Sequence, residues 1–189
     1  MTSGLLEAVE LPEFVGFGKI ARLRRPVIVT EKIDGTNGQI FISDDGLVMA
    51  GSKNRWLSCE RKGDDNFGFA RWVAENALGL VGTLGPGRHY GEWYGAGIRR
   101  GYGLAERRFM LFNVKRWGDV NLGVPGLEVA TVLGELSSLD DTVSPIILGL
   151  GLFGSAHVPG FYNPEGIVVH HVASGASFKY TLDGDGHKG

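Results

Sequence analysis

The run Pro26–Lys32 is β-branched and alternating. It ends in a lysine followed at once by Ile33 and the small polar residues Asp34, Gly35, Thr36, Asn37 and Gly38. A lysine at a strand end can serve as a nucleophile. Its amine attacks phosphorus only with a free lone pair, so its surroundings must favour loss of the proton, by desolvation or a nearby cation. Gly35 and Gly38 would let the backbone approach a nucleotide, and Asn37 could bond to a sugar or a phosphate. Asp34-Gly35 is equally a common turn pair. The residues alone therefore also fit a plain hairpin with Lys32 as a solvated edge charge.

Positioning such a lysine requires strands, and the pattern is mostly strand. Gly38–Ser43 and Leu47–Gly51 flank Asp44-Asp45-Gly46, which predicts a hairpin. His89–Tyr94 and Arg108–Val114 read as further strands. Gly166–Val172 and Ser177–Leu182 read as a last pair around an Ala-Ser-Gly turn. Helical spacing over Phe67–Leu78, with Gly79 as a stop, predicts one helix. Pro125 followed by Leu127–Leu136 predicts a second, short one. Many strands with about two helices make an α+β fold of antiparallel sheets with helices outside.

Length and composition narrow the function classes. The 189 residues suit one domain, read here from about residue 10 to about 183 with frayed ends. With 19 Lys+Arg against 21 Asp+Glu, the chain is no basic nucleic-acid coat, although a local basic groove stays open. Pro145–Phe153 is apolar but too short to span a bilayer, and the N-terminus lacks the basic-then-apolar order of a signal peptide. No membrane partner is expected. A lone Cys59 cannot form an internal disulfide, which fits a reducing cytoplasm.

Several tempting motifs read as structure. Gly149–Gly154 matches GxGxxG but is followed by loop-like residues, so a glycine-rich turn is expected. Asp183–His187 lacks the acids of a calcium loop and reads as a polar tail. His170 and His171 are adjacent in a strand, face opposite sides and cannot easily share a metal. Cys59 and His157 have no metal-ligand spacing around them.

Thr30–Asn37 resembles the first motif of the covalent nucleotidyltransferases, the superfamily of RNA ligases, DNA ligases and mRNA capping enzymes. Their shared core is Lys-x-Asp-Gly, here Lys32, Asp34 and Gly35. The extension to Thr36 and Asn37 is typical of the phage-type RNA ligase branch. Four further segments resemble later motifs in the same order. Tyr90–Gly95 resembles the third, with Glu92 on the ribose. Phe109–Val114 resembles the next, with Phe112 stacking on the purine. Pro164–Val169 is similar to the fourth, with Glu165 supporting a divalent metal. Phe178–Tyr180 resembles the fifth, with Lys179 neutralising the α-phosphate.

The resemblance implies an α+β nucleotidyltransferase fold, the ATP-grasp-like ligase adenylation type, with the nucleotide between antiparallel sheets. It implies an ATP-dependent RNA ligase. Lys32 would take AMP from ATP, pass it to an RNA 5′-phosphate end, and a 3′-hydroxyl would close the strand, with Mg²⁺ or Mn²⁺ assisting. Elementary chemistry agrees: phosphoryl transfer needs a nucleophile, a cation, a carboxylate for the metal and a purine platform. Lys32, Lys179, Glu165 and Phe112 supply one of each. Lys179 also adds a like charge that disfavours the Lys32 ammonium. Glu31, Ile33 and Asn37 join the nucleotide contacts, and Asp34 and Gly35 orient the loop.

A cation about twenty residues after the nucleophile is expected on the nucleotide phosphates or the RNA end. Lys53 and Arg55 both qualify, Lys53 fitting the spacing slightly better. Arg22, Arg24 and Arg25, Arg99-Arg100 and Arg107-Arg108 are candidates for RNA backbone contact. The fifth motif departs from the family, with Thr181 where a second lysine is common, so Lys179 or a cation such as Lys188 must serve. The expected organisation is one adenylation domain over residues 1–189, with no C-terminal OB-fold or helical domain. A partner protein supplying RNA binding would fit that expectation, as would a bacterial or phage-infected cell as setting. DNA ligation, GTP-dependent capping and a non-catalytic nucleotide or RNA-end binding module are the alternatives.

Overall fold

The computed structural model describes residues 13–184. Two antiparallel-dominated sheets carry the architecture. One has four strands in the order β7-β1-β8-β9, and the other five in the order β3-β2-β4-β5-β6. The strands are β1 (Val27–Lys32), β2 (Thr36–Ile42), β3 (Val48–Gly51), β4 (Gly87–Gly95), β5 (Arg107–Leu111), β6 (Leu127–Val129), β7 (Val132–Leu136), β8 (Gly166–His171) and β9 (Ser177–Thr181). The hairpin β2–β3 and the pair β8–β9 form where turn chemistry and alternation predict them. The fold is α+β, as expected.

The predicted helix over Phe67–Leu78 is two helices, α1 (Phe69–Glu75) and α2 (Ala77–Leu84). They break at Asn76, and α2 runs through Gly79 and Gly82 to end at Gly85. Burial of Leu80 and Leu84 under the five-stranded sheet outweighs the weak helix propensity of those glycines. A one-turn helix, α3 (Val114–Trp117), follows β5 and is capped by the Asn113 side chain.

Two expectations fail. Leu127–Leu136 is not a helix but β6 and β7. β6 runs parallel to β5 in one sheet, and β7 antiparallel to β1 in the other. Val129, Thr131 and Val132 suit strands, and the partners that claim this segment lie far away in sequence. Gly149–Gly154 is not a turn either. Gly149–Phe153 form the second half of α4 (Ser144–Phe153), with Pro145 in its first turn and Gly154 beyond its end at φ 82°. Ile146, Ile147 and Leu150 pack under Val27, Val29, Ile167 and Val169, and this contact makes the helix.

The larger core lies beneath the five-stranded sheet, where Phe69, Trp93 and Phe109 are almost fully buried. Each such side chain contributes about 1.5–3 kcal/mol. Gly38 and Gly91 face one another across β2 and β4 above these rings. A Cβ on Gly38 would sit 2.9 Å from both Phe69 and Phe109 ring atoms. Gly38 therefore serves aromatic packing. Cys59 is free and exposed. No helix among the described residues is long and apolar enough to cross a membrane.

Candidate active site

The two sheets face each other across a cleft of about 800 Å³. Strand alternation decides what enters it. On β1, Ile28, Thr30 and Lys32 line the cleft, while Val27, Val29 and Glu31 are buried. Thr30 is in register with Val168, and Val168 with Lys179. Lys179 therefore lies on the Lys32 face, two strands away, and it also lines the cleft. On the opposing sheet Asn37 is in register with Glu92, and Glu92 with Met110. These three line the cleft with Tyr90 and Phe112. Phe112 is 44% exposed, an aromatic side chain at the cleft of a site otherwise built of strands.

The Lys32 end of the cleft holds an ion pair and a buried carboxylate. Lys32 Nζ donates to Glu165 Oε2 at 2.7 Å. The lone pair of an ion-paired ammonium is occupied, so nucleophilic attack requires that pair to open and the proton to leave. Glu92 accepts from the Gly35 backbone N–H at 3.1 Å and from Asn37 Nδ2 at 3.3 Å. Burial pushes the Glu92 carboxyl up to about 7, against the pull of the Lys32 charge and with a further push from Glu165.

The turn after Lys32 is held from outside. The Asp34 N–H donates to Tyr102 Oη at 2.7 Å, and Arg100 Nε donates to Asp34 Oδ2 at 3.3 Å. A Cβ on Gly35 would lie 2.4 Å from the Trp93 carbonyl oxygen. Gly35 thus lets the loop press against β4, the protein's own backbone, where approach of a nucleotide was expected. Asp34 and Gly35 thus fix the turn that follows Lys32.

Other expected residues are differently engaged. Glu31 borders the cleft, but its Oε2 accepts the Ala156 and His157 N–H groups at 2.8 Å each. Glu31 is 1% exposed, so its carboxylate is a structural tie between β1 and a distant loop. Ile33 borders the cleft but packs with Tyr94, Tyr102 and Met110. Lys53 and Arg55 lie in an exposed turn after β3 and do not line the Lys32 cleft. Arg55 pairs with Asp64 and borders a separate groove with Phe67, Arg71 and Arg107.

Several arginines read as RNA contacts are engaged by the protein itself. Arg24 pairs with Asp140, and Arg108 with Glu106 and Glu128. Arg107 donates to the Ala96 and Phe67 carbonyls. Lys188 and most of the terminal Asp183–His187 motif lie outside the described residues. Asp183 itself pairs with Arg100.

Sequence reasoning missed Tyr102, and it missed a buried group around Glu128. Glu128 meets Tyr94, Arg108 and His157, and His157 Nδ1 lies 2.7 Å from Thr131 Oγ1. Burial alone would raise the Glu128 carboxyl. Hydrogen bonds from His157 and Tyr94, with the charges of His157 and Arg108, bring it down to about 2. No local signal marks these residues, because each partner comes from a different element.

A nucleotide-sized cleft between two such sheets, with a strand-end lysine facing carboxylates and an open aromatic ring, has the architecture of the ligase nucleotidyltransferases. Residues 25–181 match the RNA ligase family, and the chain belongs to it. Its fold is similar to solved forms of a Naegleria gruberi RNA ligase. A lysine-to-alanine mutant with ATP and Mn superposes with a TM-score of 0.63 at 20% identity, covering 85% of this chain and 50% of that one. An apo form gives 0.62 at 19% identity over 92% and 57%. A lysine-to-methionine mutant with AMP and Mn gives 0.58 at 19% over 85% and 51%. The chain spans between half and three-fifths of the length of these structures. No curated protein matches it in sequence.

Proposed function

We propose that this chain is the adenylating unit of an ATP-dependent RNA ligase and that Lys32 is its nucleophile. One observation carries the reading: Lys32, Glu92, Phe112 and Lys179, far apart in sequence, line one cleft, and Glu165 reaches it through its ion pair with Lys32. Lys32 Nζ attacks the α-phosphorus of ATP. The new P–N bond forms as the bond to the β-phosphate oxygen breaks, and pyrophosphate leaves. AMP then passes to a 5′-phosphate RNA end, and attack by a 3′-hydroxyl seals the strand and releases AMP.

The residues divide the work by chemistry. Phe112 offers the purine a stacking face. Glu92 accepts from the ribose hydroxyls, and its hydrogen bonds to Gly35 and Asn37 aim it. Lys179 meets the α-phosphate charge. Glu165 is an oxygen donor at the Lys32 amine, which suits Mg²⁺ or Mn²⁺, ions that need only one or two carboxylates beside phosphate and water. When bound, such an ion neutralises phosphate charge. The Naegleria structures with ATP and Mn or AMP and Mn support this choice of nucleotide and metal.

Intact mass after incubation with ATP and Mg²⁺ tests the reading, using protein first stripped of AMP. Wild type should gain one AMP, and Lys32→Ala none. GTP in place of ATP tests capping, which predicts a GMP adduct. Nicked RNA and DNA duplexes run side by side decide the strand. Absence of any adduct favours the binding-module alternative.

A further inference from the structure

Arg100 lies in the loop between β4 and β5 of the five-stranded sheet, yet its partners flank strands of the four-stranded one: Asp34 follows β1 in the turn to β2, Asn163 precedes β8 and Asp183 follows β9. Its Nε donates to Asp34 Oδ2 at 3.3 Å. Its Nη1 donates to Asn163 Oδ1 at 2.8 Å and to the Asn163 carbonyl at 3.1 Å. Its Nη2 pairs with Asp183. The side chain is only 16% exposed, so these contacts replace water.

The placement of those partners matters. Asp34 follows Lys32, Asn163 precedes Glu165, and Asp183 follows the Lys179 strand. β1, β8 and β9 are neighbours, and one guanidinium ties the working end of all three. The loop carrying it is held in an unusual shape. Arg99 and Tyr102, neither of them glycine, have φ of 48° and 52°. Left-handed backbone at such residues survives only where the surroundings enforce it. Tyr102 from the same loop receives the Asp34 N–H, so two side chains of one loop grip one turn.

We infer that Arg100 is a positioning residue for lysine adenylylation: it fixes the Lys32 amine relative to the Glu165 carboxylate and the Lys179 cation. It rests on the reading of Lys32 as nucleophile and touches none of the reacting atoms. Its planar fork presents donors in three directions, which a lysine ammonium on a flexible stem cannot do with the same geometry. Arg100→Lys should therefore behave much like Arg100→Ala.

The test uses two readouts on wild type, both variants and Asp183→Asn. The first is the rate of AMP adduct formation against ATP concentration. The second, independent of ATP, is acetylation of Lys32 by an amine-reactive anhydride, mapped by peptide mass against exposed Lys53. At Arg100, either substitution should slow adduct formation at saturating ATP at least tenfold. The half-saturating ATP concentration should stay within about threefold. Lys32 acetylation should rise several-fold relative to Lys53 as the Glu165 pair loosens. Asp183→Asn, which cuts one arm of the fork on the surface, should shift both readouts the same way by about threefold, so the inference stands even if the Arg100 variants fold poorly.

Unchanged Lys32 acetylation in the Arg100 variants, or in Asp183→Asn should they misfold, would overturn the inference. So would a fall in thermal stability with the adduct rate intact. If wild type forms no adduct at all, the Lys32 reading falls, and the acetylation arm still decides whether Arg100 holds the Lys32–Glu165 pair.

Discussion

Lys32 and Glu165 touch at 2.7 Å although they lie 133 positions apart, and the proposed adenylylation begins from that pair. Glu92 is the residue whose titration should be visible. Its carboxyl moves from an ordinary 4.5 to about 7, chiefly through burial. A group raised in the folded state stabilises it fully below its unfolded value, and that contribution is lost as pH climbs through the folded value. Wild-type stability should thus fall between about pH 5 and about pH 8, by a contribution on the order of 2–3 kcal/mol. In Glu92→Gln this part of the slope should vanish. Urea denaturation of both proteins across that range checks it, and parallel curves would refute it. Lys179→Ala removes a cation on the Lys32 face without disturbing a described salt bridge. It should lower the adduct rate by about 10²-fold, the scale of losing one charge-stabilising donor, with stability unchanged.

At the scale of elements, the glycines divide into two kinds. A Cβ on Gly91 would lie 2.3 Å from the Met110 carbonyl oxygen and 2.6 Å from the Phe109 ring. Relief would require opening the β4–β5 ladder. Gly91→Ala should cost at least about 1–3 kcal/mol, read as a lower urea midpoint. Gly149 lies in α4 with nothing within 4 Å of its Cβ position. Gly149→Ala should stabilise by about 0.5–1 kcal/mol, because it reduces the helix's entropy cost and meets no neighbour. A loss there would mean that α4 does not hold its helical form in solution.

For the whole molecule, the question is what keeps two sheets and their connecting loops in one arrangement. Leu127–Leu136 passes from the five-stranded sheet to the four-stranded one. Glu31 ties β1 to the loop that enters the last hairpin. Its Oε2 accepts from two backbone N–H groups, and Glu31→Ala removes the acceptor of both. The expected loss is on the order of 2–5 kcal/mol, since a hydrogen bond to a charged group contributes about 1.5–3. Glu31→Gln keeps an acceptor oxygen and should lose less than half as much. Equal losses in the two variants would show that charge, rather than the two hydrogen bonds, is what the fold requires.

The sequence by itself determined the strands that line the cleft. Alternation marks β1, β2, β4 and the β8–β9 hairpin, and the turn residues mark their connections. The ordered segments around Lys32, Glu92, Phe112, Glu165 and Lys179 were legible because each lies in or beside a strand that local pattern locates. Tertiary structure alone decided the rest. Leu127–Leu136 became two strands because β5 and β1 offered it hydrogen-bonding edges. Pro145–Phe153 became a helix because the four-stranded sheet had an apolar face to cover. Glu31 became a tie, Gly38 a bed for aromatic rings, and Arg100 a clamp across sheets. In each case the deciding partner lies far along the chain. Local propensity is worth a fraction of a kcal/mol per residue, and it yields to burial and hydrogen bonding that only the assembled sheets supply.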